Sequence, residues 1–349
     1  MPEKRPPTLR DVALSAGVSP YTVSVVLNGS RSNTRVSEGT RRRIQESAAA
    51  LHYHPNAVAR SLARRYTNTI GVLFALDSSA TLANPYASSV LLGISRRAAA
   101  GGYDILLYTE QWHGADRSAP RFRDRRSDGV IVIAPGLGTD VLAGLASLDL
   151  PLVAVAAAPE QTPEGVGCTD VDNALGIQLA VDHLTGFGHR RIAHIMGDAD
   201  VASVAQRQKA FTDATTLAGC IVSPLYLVAA HYNAHGVAEA FDSLMSLPEP
   251  PTAIVAGNDN IAIVLMEVAR ARGVAIPNQL SVIGFDDVPA AAQVTPKLTT
   301  IHQPLSTIGE AAADLLIARI NHEKRDLTVL LFPPELVVRE STSTVRSAP

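Results

Sequence analysis

The sequence predicts an N-terminal all-α helix-turn-helix head joined to an α/β body of two doubly wound parallel sheets. Three observations predict it. The chain of 349 residues is too long for one compact core, since single cores stop growing beyond roughly 250–300 residues. Residues 1–66 carry eleven Lys/Arg against four Asp/Glu, and the remainder carries 19 against 29. A small basic, helix-patterned head therefore precedes a larger acidic body, which points to a polyanion-binding head and a body with a different task. From Thr69 onward, short β-branched runs alternate with amphipathic helices, the pattern of parallel sheets covered by helices on both faces.

The head reads as three short helices. Thr8-Leu-Arg-Asp11 fits a capping box, followed by small apolar contacts from Val12, Ala13, Ala16 and Val18. Gly17 suits a tight turn. Ser19 is placed to cap the next helix, with Pro20 at its first position, where the missing N–H is no loss. Val23, Val26 and Leu27 form its apolar stripe, Asn28-Gly29 ends it, and a third helix fits Ser37 to about Leu51 with Arg41, Arg42 and Arg43 on one side. Helix, glycine-containing turn, helix is the geometry that lays a recognition helix in the major groove. With its first turn towards the bases, Pro20, Tyr21, Thr22 and Val25 are the expected edge readers. Ser19, Ser24, Asn28 and the arginines are expected at phosphates.

Composition narrows the rest. Hydrophobic residues make up 46% and charged residues 18%, ordinary for a soluble globular protein. No apolar stretch approaches the ~20 residues that span a bilayer. The N-terminus is basic and Pro-rich without an apolar core, which argues against a secretory signal and for the cytoplasm. Cys168 and Cys220 have no metal-like spacing and read as buried thiols. An enzyme is disfavoured: Gly-x-Ser-x-Gly, phosphate-loop and dinucleotide fingerprints are missing, as is a zinc-ligand pair, so no catalytic residue, metal or cofactor is expected. His183, His189 and His194 are spaced for a loop and a strand rather than one helix face.

Strands are expected at 69–76, 103–108, 130–134, 152–156, 191–196, 225–228, 253–256, 281–285 and 335–340. Helices are expected at 86–100, 173–187, 204–218, 234–247, 260–272 and 305–322. Two such sheets place a ligand cleft at the carboxyl ends of their strands.

The run from Thr8 to Gly29 resembles, almost residue for residue, the opening motif of the lac repressor/galactose repressor (LacI/GalR) family of bacterial transcription regulators. His54-Pro-Asn-Ala-Val-Ala-Arg-Ser-Leu-Ala-Arg64 is similar to the family's hinge. Phe187-Gly-His-Arg-Arg-Ile192, Gly284-Phe-Asp-Asp287 and Leu298-Thr-Thr-Ile-His-Gln-Pro304 follow in the family's order and spacing. The resemblance implies a periplasmic-binding-protein-like body and a repressor whose affinity for a palindromic operator is controlled by a small metabolite between two lobes. The metabolite is expected to be a sugar or sugar-like, or alternatively a nucleobase or nucleoside, acting as inducer or co-repressor. It also implies a homodimer, since one recognition helix reads too little DNA; a C-terminal coiled-coil tetramer is not expected, because no leucine heptad follows Glu340.

The expected division is 1–54 DNA-binding domain, 55–66 hinge, 67–342 effector-binding body and 343–349 tail. Within the body, lobe 1 takes about 68–171 and 302–327, and lobe 2 about 172–301 and 328–342. By resemblance Thr8, Arg35, Asn56, Ala59 and Arg60 join the DNA contacts. Asn56 can cap a hinge helix that is too short to be stable alone, and Leu62 is implied as a wedge in the minor groove. Effector contacts are implied at Tyr86, Ser203, Arg207, His231, Asn258 and Asp286, which together offer a donor fork, acceptors and flat faces. Three features depart from the family pattern, one of them a segment Ala75–Ala83 that is longer than usual. Val25 stands where many members carry Arg or another polar residue, so it can touch a thymine methyl but not grip guanine. Ala156-Ala157-Ala158 stands where many sugar-responsive members carry Asp.

Overall fold

A computed structural model describes residues 5–28, 35–56, 61, 66–75, 84–230, 233–323 and 329–345. The chain divides into two compact units, residues 1–69 with 125–128, and the rest.

In the smaller unit, α1 (Leu9–Ala16), α2 (Pro20–Asn28) and α3 (Glu38–Ala50) enclose Val12, Ala13, Ala16, Val23, Ile44 and Ala48. Asp11 Oδ2 accepts from both the backbone N–H and the hydroxyl of Thr8, each at 2.7 Å. Gly17 closes α1 in the left-handed region, φ 64°, where glycine carries no Cβ penalty. Ser19 Oγ accepts from Thr22 N at 3.1 Å and Ser37 Oγ from Thr40 N at 3.3 Å, so both later helices start on a serine cap. Asp128 Oδ1 and Oδ2 accept from Thr67 N and Asn68 N at 2.7 Å each, fixing the chain just before the body begins.

The body has two lobes, each with one six-stranded sheet. The first contains β1 (Thr69–Phe74), β2 (Asp104–Tyr108), β3 (Gly129–Ile133), β4 (Leu152–Val155), β5 (Gly167–Val171) and β11 (Val329–Phe332), in the order β11-β5-β4-β3-β1-β2. The second contains β6 (Ile192–Met196), β7 (Leu227–Ala229), β8 (Ala253–Ala256), β9 (Ser281–Asp286), β10 (Thr299–His302) and β12 (Glu335–Val337), in the order β12-β10-β9-β8-β6-β7. The central strands are wholly buried, as parallel strands covered on both faces must be. The helices are α4 (Pro85–Ala100), the short α5 (Ala115–Ser118) and α6 (Val141–Ala146), then α7 (Asn173–Gly186), α8 (Ala202–Leu217), α9 (Ala234–Met245), α10 (Asp259–Ala271) and α11 (Leu305–Ile320). No helix of the described residues is long and apolar enough to cross a membrane.

Four features differ from the sequence reading. The strands β5, β10 and β11 and the helices α5 and α6 were not anticipated, because each is short and lacks a clear period. The second sheet is not purely parallel: β12 runs antiparallel to β10, pairing Thr300 with Val337. The last crossing between lobes comes later than residue 328. Val329–Phe332 extends the first sheet beside β5, with Val329 opposite Cys168. The chain changes lobe only at Pro333-Pro334, two residues that cannot donate to a ladder. Cys220 is half-buried; Cys168 is buried.

Helices α4 and α11 approach so closely that their backbones touch. A Cβ on Gly93 would fall on the Ser306 carbonyl oxygen, and one on Gly309 on that of Val90. Both atoms belong to backbone, which cannot swing away. Gly93→Ala is expected to destabilise the first lobe by about 3 kcal/mol, the upper end for overpacking. Urea unfolding of the two proteins measures this.

Candidate DNA head and effector cleft

On the head, the first turn of α2 presents Pro20 and Tyr21 at the surface, with Tyr21 58% exposed. Thr22 is half-buried, and its hydroxyl lies 2.8 Å from Ser19 Oγ. Ser24 and Val25 are half-buried. Asn28, expected at a phosphate, lies in the last turn of α2. It is buried, and its amide Nδ2 donates to Ser24 Oγ at 3.1 Å, because the last turn of α2 folds that side chain back along the helix. Thr8 is half-buried; Arg35, Arg41, Arg42, Arg43 and Asn56 are exposed. Ala59, Arg60 and Leu62 lie outside the described residues.

In the body, a chamber of about 630 Å³ opens between the lobes at the carboxyl ends of the strands. Of the residues implied at the effector, it brings together Tyr86, Ser203, Arg207, Asn258 and Asp286. His231 lies outside the described residues. The first lobe supplies an apolar wall of Phe74, Ala87, Ile133, Ala134 and Ala156, and the second adds Asp198, Asp200, Asn233 and Asn260. Of these the sequence reading singled out only Ala156. Phe74 and Ile133 end strands β1 and β3, while Ala87 and Asn260 lie in the first turns of α4 and α10, places that carry no mark of what they face.

Arg207, on α8, is the buried centre of the site. Its Nε donates to Asn173 Oδ1 at 2.8 Å and Nη1 to the Gly257 carbonyl at 2.7 Å. Its Cζ stands 3.6 Å over the Phe285 ring, a cation–π contact. Asp286 Oδ1 is 4.0 Å away and accepts from Gln303 Nε2 at 2.5 Å. Asn258 Oδ1 caps α10 by accepting from Ile261 N at 2.9 Å, so towards a ligand this side chain offers its amide N–H groups rather than an acceptor. Tyr86 sits in the first turn of α4, which Asn84 caps at 3.0 Å. Burial, then the Asp170 and Asp286 carboxylates, raise the Tyr86 phenol, keeping a neutral hydroxyl at the cleft.

Three residues around the chamber hold positive φ without being glycine: Ala134 (49°), Ala156 (54°) and Asp286 (123°). They stand at or just past the ends of β3, β4 and β9. Such conformations cost about 1–3 kcal/mol each and persist where surrounding structure imposes them, commonly at ligand sites.

Three buried carboxylates, Asp170, Asp286 and Asp259, titrate high. Burial pushes Asp170 up to about 6, against the opposing pull of Val171 N, Arg207 and Asn173. Burial also raises Asp286, with Arg207 and Gln303 resisting, and raises Asp259, which Asp286 drives further. His194 is drawn down to about 4 by burial; its Nδ1 faces the Val255 carbonyl at 2.8 Å, so it is a neutral core histidine.

A basic helix-turn-helix head on a two-lobed, cleft-bearing α/β body defines a ligand-controlled DNA-binding transcription regulator. Residues 8–56 match the model of the bacterial regulatory proteins of the lacI family, and residues 181–342 that of the periplasmic binding protein-like domain. The chain is 33% identical over 340 residues to the HTH-type transcriptional repressor PurR of Photobacterium profundum, covering 96% of this chain and 98% of that one. Among solved structures, it is similar to a lac repressor dimer bound to operator and the anti-inducer ONPF (TM-score 0.84, 27% identity, 97% of this chain and 100% of that one). A complex of the transcriptional regulator CelR with cellobiose also matches (TM-score 0.74, 28% identity, 96% and 99%). The chain belongs to the LacI family. It is a DNA-binding transcriptional repressor with an effector-binding body, and is not an enzyme.

Asp170 yields a pH test. Its folded pKa of about 6 lies above the ordinary 3.8, so the native state holds that proton more tightly than the unfolded chain. Its contribution to stability is full below about pH 4 and is lost as pH rises through about 6. The stability difference between parent and Asp170→Asn should therefore move in the parent's favour as pH falls from about 7 to about 4.5. Urea melts across that range measure it; a difference independent of pH contradicts the assignment.

Proposed function

We propose that the effector is an uncharged polar ring compound, a sugar or sugar derivative, that seats its polar edge in the second lobe and an apolar face on the first. One observation carries this reading. Arg207 is the cation lining the chamber among the described residues, and Asn173, Gly257 and the Phe285 ring already engage it. Asp198, Asp200 and Asp286 line the same space. A phosphate or carboxylate entering there meets the repulsion of these carboxylates, while Arg207 already shares its charge with Asn173, Gly257 and Asp286. Ser203, Asn258 and Tyr86 supply neutral hydrogen bonds instead. A nucleobase or nucleoside is the second reading, favoured by the aromatic Phe74 and Tyr86 in the chamber and by the similarity to repressors named PurR.

Binding between the lobes changes their relative orientation and so the spacing of the two hinge segments in the dimer. Coupling of about 1–3 kcal/mol is typical of such linkage. The regulator acts in the cytoplasm, and ligand binding releases the operator; ligand-assisted repression is the opposite sign of the same linkage. Pro20, Tyr21, Thr22 and Val25 read base edges, and Thr8, Ser19, Ser24, Asn28, Arg35, Asn56, Ala59 and Arg60 hold the backbone. The reading for Asn28 requires its amide to leave Ser24.

Fluorescence anisotropy on DNA flanking the protein's own gene, against sugars, sugar phosphates and nucleobases, tests the effector. An uncharged compound should shift operator affinity by about 5- to 150-fold, and its phosphorylated form should not. Asp286→Asn should lose the shift while still binding operator. A response confined to phosphorylated compounds overturns the reading.

Leu62 carries the hinge proposal. Leu62→Ala should weaken operator binding by about tenfold or more and reduce DNA bending, since the wedge is what maintains the kink. Parental affinity with unchanged bending, in gel-shift phasing assays, contradicts it.

A further inference from the structure

A second chamber lies between the lobes. Its volume is about 640 Å³, against about 630 Å³ for the first, and among the described residues the two share no lining residue. Neighbours in sequence face opposite ways: Ala156, Val201 and Arg207 line the first chamber, and Ala157, Ala202 and Gln206 the second.

A polar partition separates them. Asn173 Oδ1 accepts from Arg207 Nε at 2.8 Å, while its Nδ2 donates to Gln206 Oε1 at 2.8 Å and to Asp170 Oδ2 at 3.2 Å. Beside it the lobes are stitched by backbone: Gly136 bridges Val201, and Leu137 N donates to the Asp200 carbonyl at 2.5 Å.

The second chamber has walls of a distinct kind. Leu331 and Val329 of β11 line it while 58% and 44% exposed, apolar surface that an occupant would remove from water. Ala205 and Ala210 of α8 add further apolar surface. Its charges are unequal. Lys209 Nζ is already paired with Asp213 Oδ2 at 2.6 Å, which leaves Glu160, Asp170 and Asp172 without a further cation among the described lining residues. Asp170 is itself only 6% exposed.

We propose that this chamber is a second ligand site, for a small organic cation: an amine with an apolar body. The volume suits a drug-sized or smaller molecule, the carboxylates select positive charge, and β11 and α8 receive the hydrocarbon. Both lobes contribute walls, so an occupant favours the lobe spacing seen here. The proposal stands whatever the first chamber holds.

The test uses the full-length protein and three probes of one shape: phenethylamine, 2-phenylethanol and phenylacetate. Saturation-transfer NMR titrations should show saturable binding of the amine, at least about tenfold tighter than the alcohol, and none of the carboxylate. Ala205→Trp, which fills the chamber from an exposed helix position, should abolish amine binding and keep operator binding. Asp286→Asn, in the first chamber, should leave amine binding unchanged. If Ala205→Trp fails to fold, Glu160→Gln decides, with an expected several-fold loss for the amine and none for the alcohol. Absent saturable amine binding, equal binding of phenylacetate, or binding lost in Asp286→Asn but kept in Ala205→Trp overturns the proposal.

Discussion

A buried guanidinium holds the cleft together. Arg207 reaches from α8 to the start of α7, the end of β8 and the Phe285 ring on β9, so one rigid group sets the spacing of three elements. Arginine suits this place because its planar fork serves several acceptors at once and its face stacks on an aromatic ring. A buried cation is tolerable only when surrounded by acceptors, and Asn173, the Gly257 carbonyl and the nearby Asp286 supply them. Asn173 stands just past the first lobe crossing and also holds Asp170 of β5. The charge at the floor of one lobe is thereby tied, through one amide, to the last strand-end carboxylate of the other.

That coupling gives the two-lobed body a mechanical logic. The first lobe is locked by backbone contact between α4 and α11 at Gly93 and Gly309, so it moves as a block. The second carries most of the polar cleft residues. The polar pieces that join them include the Gly136–Val201 bridge, the Leu137–Asp200 backbone bond and the Asp170–Asn173–Arg207 chain, beside the three crossings. Differential contact at these pieces is all that a ligand needs in order to shift the population of lobe arrangements.

Much of this was legible in the sequence, for physical reasons. Ser19-Pro20 and Gly17 mark helix ends by chemistry that acts within three or four residues, and the structure puts α2 where they indicate. Long amphipathic helices and strands such as Ala253–Ala256 declare themselves by period and burial. Val329–Phe332 does not, because a four-residue apolar edge strand looks the same whichever sheet receives it; only the partner Cys168–Val171 decides. At the cleft, Arg207 and Asp286 were legible as polar residues in motif positions. Apart from Ala156, the apolar wall and Asn173 were not, since an alanine or a helix-start asparagine carries no mark of what it faces. Asn28 shows the reverse case: a polar residue in a DNA-reading motif whose local helix geometry gives it a partner within its own turn.

The left-handed backbone at Ala134 and Ala156 has an evolutionary consequence. Alanine gains nothing from that conformation, whereas Gly, Asn and Asp adopt it at lower cost. A single nucleotide change converts an alanine codon to one for Gly or Asp. At both positions the side chain borders the chamber, so new polar recognition groups are mutationally adjacent, and the gain in backbone comfort offsets part of the cost of burying them. The scaffold thus leaves open a short path by which descendants of this chain can acquire a different ligand.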